Sequence, residues 1–172
     1  MKIVIFACVQ SAGRSQMAAA FFNQMADSQI VRAVSAGTRP AERVHPEVVE
    51  AMREAGIDLS SARPQLLTRE LAADAKLLIT MGCGDECPVA PGLRRDDWLL
   101  PDPKEQRMER VREIRDEIRS RVWQLIAHEG WQPRPAPPAS GAAQARGHGA
   151  HEHRDHRNDK EINPAPRCGP PE

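Results

Sequence analysis

The chain has no excess of charge of either sign. Its 24 lysines and arginines are matched by 24 aspartates and glutamates, so it lacks the basic footprint that binding to nucleic acid or an anionic membrane leaves. No stretch approaches the eighteen or so continuous apolar residues of a membrane span. The opening "MKIVIFACVQ" carries an apolar run too short for a secretory signal core and passes straight into polar residues. These absences predict a soluble, cytoplasmic protein with neither nucleic acid nor membrane as partner. Cysteine is sparse, at Cys8, Cys83, Cys87 and Cys168. In a reducing compartment such thiols are expected to be free, metal-bound or catalytic and not a static disulfide framework. Tyrosine is absent altogether, and at 172 residues the chain has room for one domain with a real core but hardly for two.

What is present is an alternation of strand and helix signals. "KIVIFA" is a continuous β-prone run, the pattern of a strand buried on both faces of a parallel sheet. Met17, Ala18, Phe21, Phe22 and Met25 then recur at helical spacing, which predicts a helix from about Arg14 to Ala26. "IVRAVSAGT" reads as a second strand, and "PEVVEAMREAG" as a helix with Pro46 in its first turn and Gly56 as its stop. A short helix around "TRELAADA" leads to "KLLITM", a third buried strand, and "DDWLLPDP" reads as a short fourth. Met108, Val111, Ile114, Ile118, Val122, Leu125 and Ile126 mark a long final helix. The order predicts an α/β fold with a mainly parallel sheet. From Gly130 the composition turns to Pro, Ala, Gly, His and charge, too poor in large aliphatic residues to offset the entropy of ordering. The expected division is a domain over residues 1–129 and a disordered tail over 130–172.

The chemistry concentrates in "FACVQSAGRSQMA", where Cys8 ends the first strand and Arg14 opens the first helix. Ligands of open parallel sheets gather beyond the carboxyl ends of the strands, and that is where Cys8 falls. The intervening loop, Val9, Gln10, Ser11, Ala12 and Gly13, can form a ring of backbone N–H donors around a tetrahedral oxyanion. Its small residues let the backbone approach closely. The same donors and the helix dipole favour a thiolate, which makes Cys8 a candidate nucleophile. Arg14 can clamp two anion oxygens with its planar fork, and Ser15 can donate its hydroxyl to the sulfur. Asp102 follows the predicted fourth strand, so it reaches the same sheet edge, where a carboxylic acid can protonate a departing oxygen. Pro103 stiffens its loop. His45, just before Pro46, is read as leading a helix and not as a base.

Cys8, five residues, Arg14 and Ser15, with "PDP" far downstream, resemble the low-molecular-weight protein tyrosine phosphatase superfamily. "SAGRSQMA", "VSAGT", "TMGCGDECP" and "LPDPK", in that order, are similar to its arsenate reductase branch. The resemblance covers about residues 2–128. It implies a four-stranded mainly parallel sheet flanked by helices, with Cys8 as nucleophile, Arg14 as oxyanion clamp and Asp102 as general acid. Members commonly carry Asn at the third position after the nucleophile, where this chain has Ser11. Serine adopts left-handed backbone less readily, so an active but slower enzyme is expected.

Cys83 and Cys87 follow the third strand and are expected at the same sheet edge as Cys8. A phosphatase needs one thiolate and a water, whereas a reductase also needs electrons: Cys8 attacks arsenate, a second thiol resolves the adduct, arsenite leaves and a disulfide remains. No bound cofactor is expected. By resemblance the external reductant is either thioredoxin or, given the short "CGDEC" spacing, mycothiol with a mycoredoxin. Lys104 after "DP", together with the absence of tyrosine, suits a small inorganic anion better than a phosphotyrosyl ring, so arsenate is the expected substrate, with phosphate or sulfate competing. Two alternatives remain at this point: a phosphatase of the same fold, and a non-catalytic arsenic or metal binder using Cys8, Cys83, Cys87 and the tail's His148, His151, His153 and His156. The histidines match no defined metal spacing, and Cys83 and Cys87 have no second cysteine pair inside the domain to complete a zinc site.

Overall fold

The first strand, β1 (Lys2–Cys8), takes part in two cores at once because successive side chains of a strand point to opposite faces. Val4, Phe6 and Cys8 join one buried cluster, while Ile5 and Ala7 join the other. This double burial is why the run reads as uninterrupted apolar sequence. The structure is a computed structural model that describes residues 1–82, 87 and 90–133. The chain divides into two units, Met1–Pro135 and Ala136–Glu172, and all the described residues lie in the first. The expected disordered tail therefore falls outside the described residues beyond position 133.

The order of elements is β1, α1 (Arg14–Met25), β2 (Val31–Gly37), α2 (Pro46–Glu54), α3 (Arg69–Ala73), β3 (Leu77–Thr80), β4 (Arg94–Asp97) and α4 (Met108–Glu129). The four strands form one sheet in the order β2-β1-β3-β4, and every pairing is parallel. The expected four-stranded sheet is present, and it is parallel throughout. In this order the chain steps to one side of β1 to make β2 and to the other side to make β3. The crevice between the carboxyl ends of β1 and β3 is thus the topological switch point, where open α/β sheets bind ligands.

Helices α1, α2 and α4 cover one face through Met17, Phe21 and Phe22, Val48 and Met52, and Val111, Ile114, Ile118, Val122 and Ile126. Leu67, Leu78 and Cys87 fill the smaller core on the opposite face, with Leu71 of α3 packed against it. The free edge of β2 is covered by side chains. Asn23 of α1 bonds both the N–H and the carbonyl of Ala33, and Gln65 donates to the Ser35 carbonyl. A bare strand edge would otherwise invite pairing with another chain.

Two boundaries differ from the sequence reading. The fourth strand is Arg94–Asp97, all of it exposed, and not "DDWLLPDP". The apolar part of that stretch serves the loop beyond, where Trp98 packs against Phe6 with ring centroids 5.7 Å apart, while a charged strand suits an exposed sheet edge. The packed chain also runs past Glu129. Gly130 takes the left-handed conformation (φ 68°) and donates to the Ala127 carbonyl, and Trp131 N–H donates to Ile126. These two bonds form a Schellman motif that turns Trp131 into the core, edge-on to Phe22.

Candidate active site

The loop from Val9 to Gly13 leaves β1 at the switch point, and each of its carbonyls is held from outside. Arg39 N–H donates to Val9, Ala41 N–H to Gln10, and His45 N–H to Ala12. The Gln16 side chain donates to Ser11 at 2.8 Å, and Gly13 accepts from the first turn of α1. With the carbonyls turned out, the peptide N–H groups turn in. Among the described residues, no hydrogen bond takes up the N–H of Gln10, Ser11, Ala12, Gly13 or Arg14. Successive free amides at a helix N-terminus make an oxyanion-binding concavity.

Cys8, Val9, Gln10, Gly13, Arg14, His45 and Asp102 line one recess of about 20 Å³ at this loop. A far larger groove of about 840 Å³ lies between β4 and α4, but its walls, among them Arg94, Trp98, Ser120 and Glu129, hold no cysteine. Cys8, Arg14 and Asp102, the residues singled out in the sequence, converge on the small recess. His45, expected only to lead α2, also forms part of its wall. Ser11, Ala12 and Ser15 are fully buried around it.

Cys8 is a free thiol, buried to 4 % exposure. Its Sγ lies 2.9 Å from Ser15 Oγ, and behind Ser15 stands a chain of hydroxyls. Ser35 Oγ donates to Ser15 Oγ at 2.8 Å, and Ser11 Oγ lies 2.8 Å from Ser35 Oγ. With Ser35 donating to Ser15, the hydroxyl of Ser15 is free to point at the sulfur and that of Ser11 to supply Ser35. All three dipoles then align toward a thiolate, and aligned hydrogen bonds strengthen one another in a buried site. Ser11 sits in this chain with φ 51°, the left-handed conformation that serine adopts at a cost. Its carbonyl bond to Gln16 and its hydroxyl bond to Ser35 hold it there. This is how the loop accommodates serine at that position.

Arg14 is 11 % exposed, and its guanidinium is steered from two sides. Nη1 donates to the Leu100 carbonyl at 2.7 Å, and Nη2 lies 3.6 Å from Asp102 Oδ2. Asp102 itself is more than half exposed, and its Oδ1 accepts from Lys104 N–H at 3.0 Å. The loop that carries it is docked by Pro103, which is buried over Gly13: a β-carbon on Gly13 would stand 3.1 Å from Pro103 Cγ. Glu47 of α2 fixes the next turn by accepting from Glu105 N–H.

Several residues that shape the site carry no signal of their own in the sequence. Ser35 and Gly37 belong to "VSAGT", a motif recognisable only by likeness. A β-carbon at Gly37 would lie 2.6 Å from Val9 O and 2.8 Å from Ser11 N. Gly37 therefore lets β2 press against the back of the anion loop. Gln16 looks like any polar position of a helix. Cys87 is disulfide-bonded and 2 % exposed, in the core on the far face of the sheet from Cys8. Of the states expected for the sparse cysteines, free, metal-bound or catalytic, a disulfide at Cys87 leaves the redox role open and is neither a free thiol nor a metal ligand. Cys83, the tail histidines and Cys168 lie outside the described residues.

Residues 3–131 match the family model of the low molecular weight phosphotyrosine protein phosphatases. A putative arsenate reductase of Halobacterium salinarum is 43 % identical over 125 residues, spanning 70 % of this chain and 88 % of that protein. Among solved structures, a thioredoxin-dependent arsenate reductase of Corynebacterium glutamicum aligns with a TM-score of 0.65 at 40 % identity. That alignment covers 74 % of this chain and 61 % of the Corynebacterium chain, so this protein spans about three fifths of it. A structure described as an arsenate reductase in the phosphate binding state aligns with the same TM-score at 33 % identity, over 74 % of this chain and 98 % of the other.

Proposed function

The chain belongs to the low molecular weight phosphotyrosine protein phosphatase family, and from its site and its relatives we infer that it is an arsenate reductase. The observation that carries the reading beyond a phosphatase is the pairing of a free, hydroxyl-buttressed Cys8 with a disulfide-bonded Cys87 in the same fold. A phosphatase has no use for the second.

Arsenate is held by the inward amides of residues 10–14 and by Arg14, which compensate its charge at the helix N-terminus. The Cys8 thiolate attacks arsenic, an As–O bond breaks, and Asp102 protonates the departing oxygen, which leaves as water. Ser15 stabilises the thiolate beforehand and the sulfur again when it departs. A second thiolate then attacks the Cys8 sulfur. The S–As bond breaks with its electron pair going to arsenic, As(V) becomes As(III), and arsenite is released. Cys83 takes this step, because it lies one residue beyond Gly82, where a β-carbon would stand 3.0 Å from Arg14 Nη1. Cys87 then attacks Cys83 and frees Cys8, and the disulfide left behind is reduced by the dithiol of a redoxin. The thioredoxin dependence of the Corynebacterium relative supports that coupling, and the phosphate-binding relative supports phosphate as a competitor. Sulfate competes on the same grounds of shape and charge. The reaction belongs in the cytoplasm, where redoxins are kept reduced. Among the described residues no helix is long and apolar enough to cross a membrane.

The test is intact-mass and disulfide mapping of fully reduced protein given arsenate and no other thiol. The expected result is a loss of two hydrogens and one equivalent of arsenite, with the disulfide mapped among Cys8, Cys83 and Cys87. An unchanged mass, with arsenite appearing only after mycothiol is added, would move the second step to an external small thiol. An unchanged mass with hydrolysis of aryl phosphates and no arsenite under either condition would make the protein a phosphatase.

A further inference from the structure

Gly82 lies two residues past the end of the third strand. Met81 N–H still bonds the Ala7 carbonyl of β1 and is fully buried, whereas Gly82 turns with φ +87° into the left-handed region. Its α-carbon faces the anion clamp. A β-carbon built there would lie 3.0 Å from Arg14 Nη1, 3.4 Å from Nη2 and 3.5 Å from Cζ. A side chain at this position would therefore crowd three atoms of one guanidinium, and glycine is what leaves the planar fork its room. Leu100 holds Nη1 and Asp102 faces Nη2, and the space above Gly82 borders both nitrogens as well.

We propose that Gly82 is a positioning residue for anion binding, its bare backbone forming the wall that sets the plane of the Arg14 guanidinium. Bidentate recognition of two oxygens depends on that plane more than on charge alone. The same residue leads into the segment that carries Cys83 and Cys87, so the wall of the clamp and the resolving thiols are continuous in the chain. The proposal rests on the reading of Arg14 as the oxyanion clamp, but not on the reduction of arsenate.

Gly82→Asn separates contact from backbone strain, since asparagine enters the left-handed region more readily than other side-chain-bearing residues but still brings a β-carbon against Arg14. Inorganic phosphate is the probe, its dissociation constant read from protection of Cys8 against iodoacetamide. Phosphate binding should weaken about tenfold, the scale of one disturbed charge-assisted hydrogen bond. Alkylation without phosphate, and the thermal transition, should stay near those of the wild type. Gly56→Asn is the control, because Gly56 has φ +82° with nothing within 4 Å of a β-carbon; it should leave phosphate affinity unchanged. In an Arg14→Lys background the loss caused by Gly82→Asn should shrink to less than twofold, because the lysine ammonium has no plane to set. Equal losses in both backgrounds, or none in the wild type, would overturn the proposal. Failure of the wild type to bind phosphate would instead overturn the anion-site reading on which it rests.

Discussion

Ser35 illustrates how a side chain can act on a reaction it never touches. It contacts neither the sulfur nor the recess, yet its hydroxyl donates to Ser15, which lies 2.9 Å from Cys8 Sγ. Removing it leaves Ser15 free to turn its own hydroxyl elsewhere, so Ser35→Ala should slow formation of the Cys8 adduct by about tenfold, the value of a hydrogen bond that assists a charge. The KM for arsenate should change little, because the amides and Arg14 are untouched. Single-turnover kinetics separate the two. Ser11→Ala should add little to Ser35→Ala, since the two act through one chain. A fully additive double variant would show that the hydroxyls act separately. Cys8, Arg14 and Ser15 were legible in the sequence because a nucleophile, a loop of small residues and a cation crowd into eight positions. Ser35 was not, because its proximity comes from the pairing of β1 with β2, and a lone serine on a strand carries no periodic signal. Gln16, Gly37 and Gly82 were hidden for the same reason: each matters through a neighbour that only the fold supplies.

At the scale of elements, α4 was legible from its apolar residues at helical spacing, and its five fully packed positions face α1, α2 and the sheet. Strand β4 was not, because an edge strand of charged residues has no apolar face to read, and the adjacent "WLL" drew the boundary downstream. The end of the packed chain was obscured differently. The composition changes at Gly130, but a single aromatic beyond it, Trp131, is 4 % exposed against Phe22 and below the Lys2 ammonium. Its carbonyl also accepts from Asp27 N–H, so it ties the end of α4 to the turn before β2. Trp131→Ala should therefore destabilise the protein by about 3 kcal/mol, the low end for deleting a buried tryptophan. Truncation after Pro133 should leave the urea midpoint where it was. Equal midpoints for Trp131→Ala and wild type would place the end of the packed domain at Glu129 after all.

For the whole molecule, the all-parallel order places β1 and β3 side by side, so that the nucleophile loop and the segment after β3 leave at one crevice. Alternating strand and helix signals made that architecture readable, whereas the ion pairs that hold the outer layer to it were not, since their partners lie far apart in sequence. Arg112 and Arg115 of α4 converge on Glu54 at the end of α2, and Arg94 of β4 pairs with Glu129 at the end of α4. Hydrogen bonds from Arg112 hold the Glu54 carboxyl below the ordinary glutamate range, and those from Arg94 do the same for Glu129. A carboxylate whose folded value is lowered stabilises the fold above its unfolded value, near pH 4. That contribution disappears as the pH falls through the lower folded value. The thermal midpoint should thus hold steady from neutral pH to about pH 5 and drop below pH 4. Glu54→Gln combined with Glu129→Gln should lower the midpoint at pH 7 and flatten the acid limb, so that the two curves converge near pH 2. Because these groups lie at the surface, about 0.5 M salt should shrink the difference at pH 7. Curves that stay parallel down to pH 2 would mean that the ion pairs of Glu54 and Glu129 hold nothing together, and that the acid sensitivity of the fold arises elsewhere.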